Sequence, residues 1–205
     1  PRENVLCTEY SDYGRRAIED YGVACVSRDV RELPLEEHAG RFDFVCLFQV
    51  LEHLDGLDAL FAQFRALTKP RAHLFVAVPN DRRIAFDELH GGLLDLPPNH
   101  VGRWTRASFE HVARRHGWHL VAHEYEPEGA AAKVALHATY RYMRARQDPA
   151  TLAARVERVS SRSMRRPLQA LAAGLYALRS PAALATLVRD ERLGMSQWAH
   201  LARND

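Results

Sequence analysis

The chain has 205 residues, 47% of them hydrophobic, and a formal charge of +2. That length can bury a full core and favours one domain with an appended lobe. No stretch reaches the roughly 18 consecutive apolar residues of a membrane-crossing helix, and no signal-peptide pattern opens the chain, so no transmembrane segment and a soluble, cytoplasmic protein are expected.

Charge is unevenly spread. Residues 1–140 carry 16 Lys/Arg against 21 Asp/Glu, whereas residues 141–192 carry 11 Arg against 4 acids. An acidic body is therefore joined to a basic, Ala/Leu-rich limb. Cys7, Cys25 and Cys46 are odd in number and widely separated, unlike a zinc site or a disulfide framework. Each sits in an apolar run and reads as a small buried hydrophobe in a reducing compartment.

Short apolar runs alternate with amphipathic ones, the signal of βαβ units and a mostly parallel sheet. The first expected strand is Asn4–Thr8, after which Ser11 caps a helix to about Tyr21, with Gly22 in the stop position. Strands over Val23–Ser27 and Phe44–Phe48 follow. Asp55 is placed to cap a helix ending near Thr68, with Pro70 just beyond, and Leu74–Val78 reads as a fourth strand. Thr105 caps a helix whose Phe109, Val112 and Ala113 share an apolar face, Gly117 ends it, and His119–Glu126 alternates as a strand. Residues 130–192, punctuated by Pro149, Pro167 and Pro181, read as three or four short helices, and Met195–Ala202 as a closing strand. The expected organisation is a core over 1–129, a basic helical insertion over 130–192 and a closing strand within 193–205.

Four strands end in polar or special residues: Glu9, Asp29, Gln49 to His53, and Pro79-Asn80-Asp81. The carboxyl ends of parallel strands share one edge, where ligands bind. A carboxylate there can accept both ribose hydroxyls of a nucleoside, and a second, Asp29, can accept from an adenine amino group. The alternative for each acid is a helix or turn cap. The run from Phe42 to His53 is the most informative, because an apolar strand delivers Gln49, Glu52 and His53 directly to this edge.

Phe42-Asp43-Phe44-Val45 leads to Val50-Leu51-Glu52-His53-Leu54, followed by Leu67-Thr68-Lys69-Pro70, Leu74 to Asn80, Pro97-Pro98-Asn99-His100 and Arg103-Trp104. In this order and spacing, over about residues 4–127, the sequence resembles class I S-adenosylmethionine-dependent methyltransferases of the branch with a Val-Leu-Glu-His turn. Gly194-Met195-Ser196-Gln197-Trp198 is similar to that family's last strand. The resemblance implies an α/β, Rossmann-like, mostly parallel sheet with helices on both faces and S-adenosylmethionine as cofactor. It also implies that Glu9 holds the ribose, Tyr10 flanks the adenine, Asp29 and Val30 contact the adenine edge, and Phe48 with Gln49 lines the methionine arm. The chain departs from the family where Gly-Gly after Lys-Pro is replaced by Arg71-Ala72. The family's glycine-rich loop, with the central strand before it, has no counterpart. Since the first residue is Pro1, the biological chain is expected to extend upstream. Without that strand, the sheet is expected to have a central gap, or the strands at Asn4–Thr8 and Phe44–Phe48 to pair directly.

Methyl transfer is an in-line displacement, so the acceptor must be held on the line of attack and water excluded. His53 and His100 are the candidate catalytic bases for a hydroxyl acceptor. Their alternatives are a turn-organising role for His53 and loop packing with Trp104 for His100. Glu52, His53 and His100 also resemble part of the metal set of small-RNA 2′-O-methyltransferases and ubiquinone-pathway O-methyltransferases. Those enzymes place a glutamate where this chain has Gln49, an amide that serves a hard divalent ion poorly, so no metal is expected. Trp104, Phe86 and Trp118 are candidates for an aromatic wall around an acceptor, with the core favoured for Trp118. The arginines of the limb, among them Arg141, Arg144, Arg155, Arg158, Arg162 and Arg165, either meet nucleic acid, an acidic membrane surface or a phosphorylated substrate, or form a solvated face. The expected function is O-methylation of a small-molecule or sugar-containing acceptor. The alternatives are RNA ribose 2′-O-methylation, with nucleic acid not favoured, and a non-catalytic methyltransferase-like binding domain.

Overall fold

A computed structural model describes residues 1–205. β1 (Leu6–Thr8) and β2 (Ala24–Val26) form a parallel two-stranded ribbon in which Cys7 lies opposite Cys25. α1 (Asp12–Asp20) joins them, starting where the Ser11 hydroxyl accepts the Gly14 N–H at 3.0 Å and stopping before Gly22 at φ +76°. Both ends therefore obey the sequence signals.

A 3₁₀ turn over Val30–Glu32 and the short α2 (Leu35–His38) lead to β3 (Phe42–Phe48), after which come a second 3₁₀ turn over Leu51–His53 and α3 (Leu57–Leu67). β4 (Thr68–Pro79), α4 (Asp81–Leu89), α5 (Arg106–Arg115) and β5 (Trp118–Tyr125) complete the body. Four helices follow, α6 (Ala130–Ala145), α7 (Leu152–Glu157), α8 (Arg162–Leu178) and α9 (Pro181–Arg189), before the closing β6 (Ser196–Arg203). The second sheet has the order β3-β4-β6-β5, with β6 antiparallel to both neighbours and β4 parallel to β3. This is the mixed α/β, mostly parallel arrangement expected.

Of the two arrangements expected at the sheet centre, the structure has the gap: β1 pairs only with β2, and β3 only with β4. The ribbon is held instead through the segment after it. Val30 packs against the main core, Gln63 Nε2 donates to the Leu33 carbonyl at 2.9 Å, and Gly40 N–H donates to the Ala66 carbonyl at 2.8 Å.

Strand alternation sends Leu47, Leu74, Val76, Val78, Ala199 and Leu201 to one face, where they meet Leu60, Phe61 and Phe64 of α3 and Phe109 and Ala113 of α5. Each large apolar side chain fully buried there contributes roughly 1.5–3 kcal/mol. The other face carries Phe44, Cys46, Phe48 and Trp198, all exposed. Cys46 is thus not the buried hydrophobe expected, and Cys7 and Cys25 are only half-buried. The alternation that buries Val45 and Leu47 turns Cys46 outward.

Three local readings change. Asp55 does not cap α3; Gly56 does so at φ +58°, while Asp55 accepts from Arg31. β4 begins at Thr68 rather than Leu74, with an irregularity in its pairing to β3 around Lys69–Ala72, where Arg71 sits at φ +62°. Pro167 does not break the limb into short pieces, because α8 runs through it for 17 residues. The carbonyl that loses its donor there belongs to exposed Ser163.

The lobe has its own small core of Tyr142, Ala153, Val156, Ala172 and Tyr176. The Tyr142 hydroxyl donates to Glu157 at 2.8 Å, and burial together with that carboxylate pushes its pKa up to about 12. At the neck, Gly194 N–H donates to the Glu126 carbonyl at 3.0 Å and Glu126 N–H to the Ser196 carbonyl at 2.9 Å. A Cβ at Gly194 would collide with the Glu126 carbonyl, so only glycine permits this approach.

Candidate functional site

At the carboxyl end of β3 the backbone turns sharply. Gln49 adopts φ +55°, a left-handed conformation that costs an L-residue about 1–2 kcal/mol, while its N–H still reaches the Ala77 carbonyl at 2.8 Å. Such outliers concentrate at functional positions. Its side chain turns to Ser196, Nε2 donating to the hydroxyl at 3.1 Å, and Phe48 before it is 65% exposed.

The next turn buries a carboxylate. Glu52 is 1% exposed, its Oε2 has no hydrogen-bond partner, and burial raises its pKa. Its backbone carbonyl accepts the N–H groups of Val101 and Gly102, both at 2.9 Å, which folds the loop after α4 onto the turn. A Cβ on Gly102 would lie 2.9 Å from Trp104 Nε1, so glycine lets this loop close.

That closure brings the two expected histidines together. Their rings meet edge to face with centroids 4.7 Å apart. His53 Nδ1 lies 2.7 Å from the Asn99 carbonyl, which can only accept, so Nδ1 donates there and the neutral ring would carry its lone pair on Nε2. That Nε2 is 3.8 Å from Glu52 Oε1, and His100 Nδ1 is 3.2 Å from Asp95 Oδ1. One ligand atom each from Glu52, His53 and His100 lie within 4.8 Å of one another. The cluster can therefore handle a proton, and its spacing also suits a cation. Gln49 takes no part in it.

The nucleoside-side residues gather at the end of the β1–β2 ribbon. Glu9 Oε1 accepts the Ser11 N–H at 2.7 Å, and its bonds to Ser11 hold the carboxyl below the usual range, so it remains an anionic acceptor. A Cβ at Gly14 would lie 2.8 Å from Ser11 Oγ and 3.0 Å from Glu9 Cδ; its absence makes room for Glu9 across the helix start. Tyr10 beside it is exposed.

Asp29 is more committed. Its Oδ1 accepts from Arg31 N at 2.8 Å and Nε at 2.9 Å, and its Oδ2 from Nη2 at 2.6 Å. The Arg31 guanidinium keeps this carboxyl below its ordinary value. The capping alternative is thus realised at Asp29, which has only its remaining lone pairs for a ligand. Val30 faces the core.

The residues suit the cofactor implied by the resemblance: two ionised acceptors end paired strands, and an uncovered aromatic side chain ends β3. Glu9, Tyr10, Asp29 and Val30 follow β1 and β2; Phe48 ends β3, with Gln49 and His53 following it and His100 set against His53. The break in the sheet lies between their parent strands.

Two buried amides that fix this edge were not anticipated as site residues. Asn80 caps α4 by accepting from Arg82 N at 2.9 Å and donates Nδ2 to the carbonyls of Arg192 and Gly194, each at 2.9 Å. Gln197 donates Nε2 to the carbonyls of Pro79 at 2.9 Å and Trp104 at 2.7 Å, and accepts from His123 Nε2 at 2.8 Å. Asn before a helix was a visible cap signal; Gln197, inside an alternating strand, gave none. Trp104 and Trp118 are both core residues, Trp104 stacking on Phe109 at 4.9 Å. Phe86 meets Tyr140 of α6 at 5.6 Å, at the junction of body and lobe. The three do not form an acceptor wall.

A search of curated proteins gave no match. Among solved structures, a SAM-dependent methyltransferase from Archaeoglobus fulgidus aligns with a TM-score of 0.55 at 15% identity, over 97% of this chain and 75% of that one. A protein from Bacillus halodurans C-125 described as a methyltransferase aligns with a TM-score of 0.52 at 12% identity, over 98% and 82%. The [4+2]-cyclase SpnF aligns with a TM-score of 0.53 at 15% identity, over 98% and 66%. Likeness at these identities establishes the fold alone, and a cyclase among the three underlines that a fold does not set a reaction. The sequence itself goes further, because the family model described as "Methyltransferase domain" matches residues 9–123, more than half of the chain. That span begins at Glu9 and runs through the His53–His100 cluster into β5, and the chain belongs to this family as a class I, S-adenosylmethionine-dependent methyltransferase.

Proposed function

We propose that this enzyme transfers a methyl group to a hydroxyl oxygen of a small-molecule or sugar-containing acceptor in the cytoplasm, with His53 as general base and His100 beside it. The observation that carries the reading is the contact of His53 Nδ1 with the Asn99 carbonyl at 2.7 Å: the carbonyl can only accept, so Nδ1 donates, and in the neutral ring Nε2 is the atom left to accept a proton. Glu52 at 3.8 Å stabilises the imidazolium that results.

S-adenosylmethionine, when bound, supplies a methyl group on a sulfonium centre. Glu9 accepts from the ribose hydroxyls, Tyr10 flanks the adenine, and Asp29 with Val30 borders its edge. Phe48 and Gln49 line the methionine arm. The left-handed backbone at Gln49 supports that assignment, because it sets the direction in which the chain leaves β3.

The test is transfer of an isotopically labelled methyl group to a panel of hydroxylated and amine acceptors. His53→Ala is expected to lower kcat by about 10²–10⁴-fold, the range of general-base catalysis, with cofactor affinity by calorimetry changed less than about threefold. An unchanged kcat would remove the base, and labelling of amines alone would overturn O-methylation. The rate is expected to be unaffected by chelator. A loss restored by a divalent ion would reassign Glu52, His53 and His100 to a metal.

A further inference from the structure

We propose that the corner formed by α8 and α9 docks this enzyme onto an anionic lipid bilayer. On α8, Met164, Leu168, Leu171, Leu175 and Leu178 recur at intervals of four and three residues, which places them in one stripe of a helix about 25 Å long. All five are exposed, Leu171 by 64% and Leu178 by 69%. The opposite side is already used, since Ala172, Tyr176 and Ala177 are buried.

From Pro167 to Leu178 no residue is charged, and the one amide, Gln169, is turned inward to Glu157 at 2.9 Å. α9 meets α8 at 92° and stays uncharged from Pro181 to Val188, leaving Arg179 as the sole charge between Pro167 and Val188. Neither helix is long and apolar enough to cross a membrane. A long exposed apolar stripe is the mark of an interaction surface.

Charge identifies what covers it. Arg162, Arg165 and Arg166 stand at the start of the stripe, Arg179 at the corner and Arg189 at the far end. The ion pairs of this lobe are Arg146–Glu157, Arg192–Asp190 and Arg82–Asp190, and those five arginines stand outside them. Arg179 lies over the Tyr176 ring at 4.8 Å, and an apolar stripe with cations outside ion pairs at both ends matches an anionic interface, where leucines enter the acyl boundary and arginine stems reach the headgroups. A second copy would bring together two limbs that each carry 11 Arg against 4 acids over residues 141–192. Nucleic acid would leave the leucines uncovered.

The experiment is co-sedimentation of the full chain with phosphatidylcholine vesicles, with and without a third of the lipid replaced by phosphatidylglycerol. Binding is expected to the anionic vesicles, about tenfold or more weaker to the neutral ones, and reduced by high salt. Leu171→Gln/Leu175→Gln removes apolar burial and Arg162→Glu/Arg165→Glu reverses charge; each is expected to weaken binding about tenfold or more, with an unchanged far-UV circular dichroism spectrum. Equal binding to both vesicle types, or full binding by both variants, would overturn the proposal. So would a wild-type chain that ignores vesicles but forms a dimer in sedimentation velocity that the leucine variant dissolves, for then the face belongs to a second copy.

Discussion

On one face of the four-stranded sheet, Leu74, Val76 and Val78 lie sealed beneath α3 and α5; one residue along the same strand, His73, Phe75 and Ala77 point to the opposite side. There Phe44 stacks on His73 at 5.6 Å and Phe75 on His200 at 4.4 Å, with Phe44, Cys46 and Phe48 exposed. Neighbouring positions in one strand thus serve different ends. The closed face supplies stability, while the other, open face is left exposed at Phe44, Cys46 and Phe48, so a shift of one residue would exchange the two faces.

The comparison is broken most directly on the closed face. Phe64, 1% exposed, is expected to cost about 3–5 kcal/mol on replacement by Ala, lowering Tm by roughly 10 °C or more in a thermal melt. A loss below about 1 kcal/mol would mean that the closed face is not where the stability lies.

Glu52 tests the border between the faces, being sealed like the core yet part of the site. Burial raises its folded pKa above the unfolded value, so its stabilising contribution is full below the unfolded pKa and lost as pH rises through the folded one. Glu52→Gln is therefore expected to match the wild type near pH 4 and to exceed it by about 1 kcal/mol near pH 8. Equal stability at both pH values would show that the carboxylate carries no burial penalty.

Arg71 sits at φ +62°, a left-handed conformation that glycine adopts without penalty. Arg71→Gly is expected to stabilise the fold by about 0.5–1 kcal/mol, read as a Tm increase of a few degrees. A decrease would mean that contacts of the arginine outweigh the strain. The smallest stability change is expected at Phe48→Ala on the open face, within about 0.5 kcal/mol. Its cofactor affinity should nevertheless fall several-fold in calorimetry; stability lost with affinity intact would sink its assignment to the methionine arm.

The elements that the sequence revealed best are those whose ends are chemical. Ser11 and Thr105 cap their helices through their hydroxyls, and Gly22 and Gly117 take the positive φ their places demand. Asp55 was misread because Arg31, distant in sequence, claims it, leaving Gly56 to begin α3. The early start of β4 was hidden by Pro70 and Arg71, which look like a loop until the left-handed turn at Arg71 is seen to be a flaw in a continuing strand. At the site, the approach of His53 to His100 was foreseen from the resemblance. The burial of Glu52 was not, since nothing local distinguishes a carboxylate later covered by a loop from one left in water. Gln197 was hidden for the same reason: its partners lie on β4, β5 and the segment before α5, and only the folded chain brings them together.

The neck between Glu126 and Gly194 has a consequence for how such enzymes diversify. The chain leaves the body and rejoins it where Glu126 bonds to Gly194 and Ser196, so part of the entropy of closing that loop is met by the sheet itself. Residues 127–193 are tied to the body at further points, where Asn80 donates to the Arg192 carbonyl and Phe86 meets Tyr140. A lobe that changes in length or surface has to keep glycine at position 194 if β6 is to hold its register beside β5.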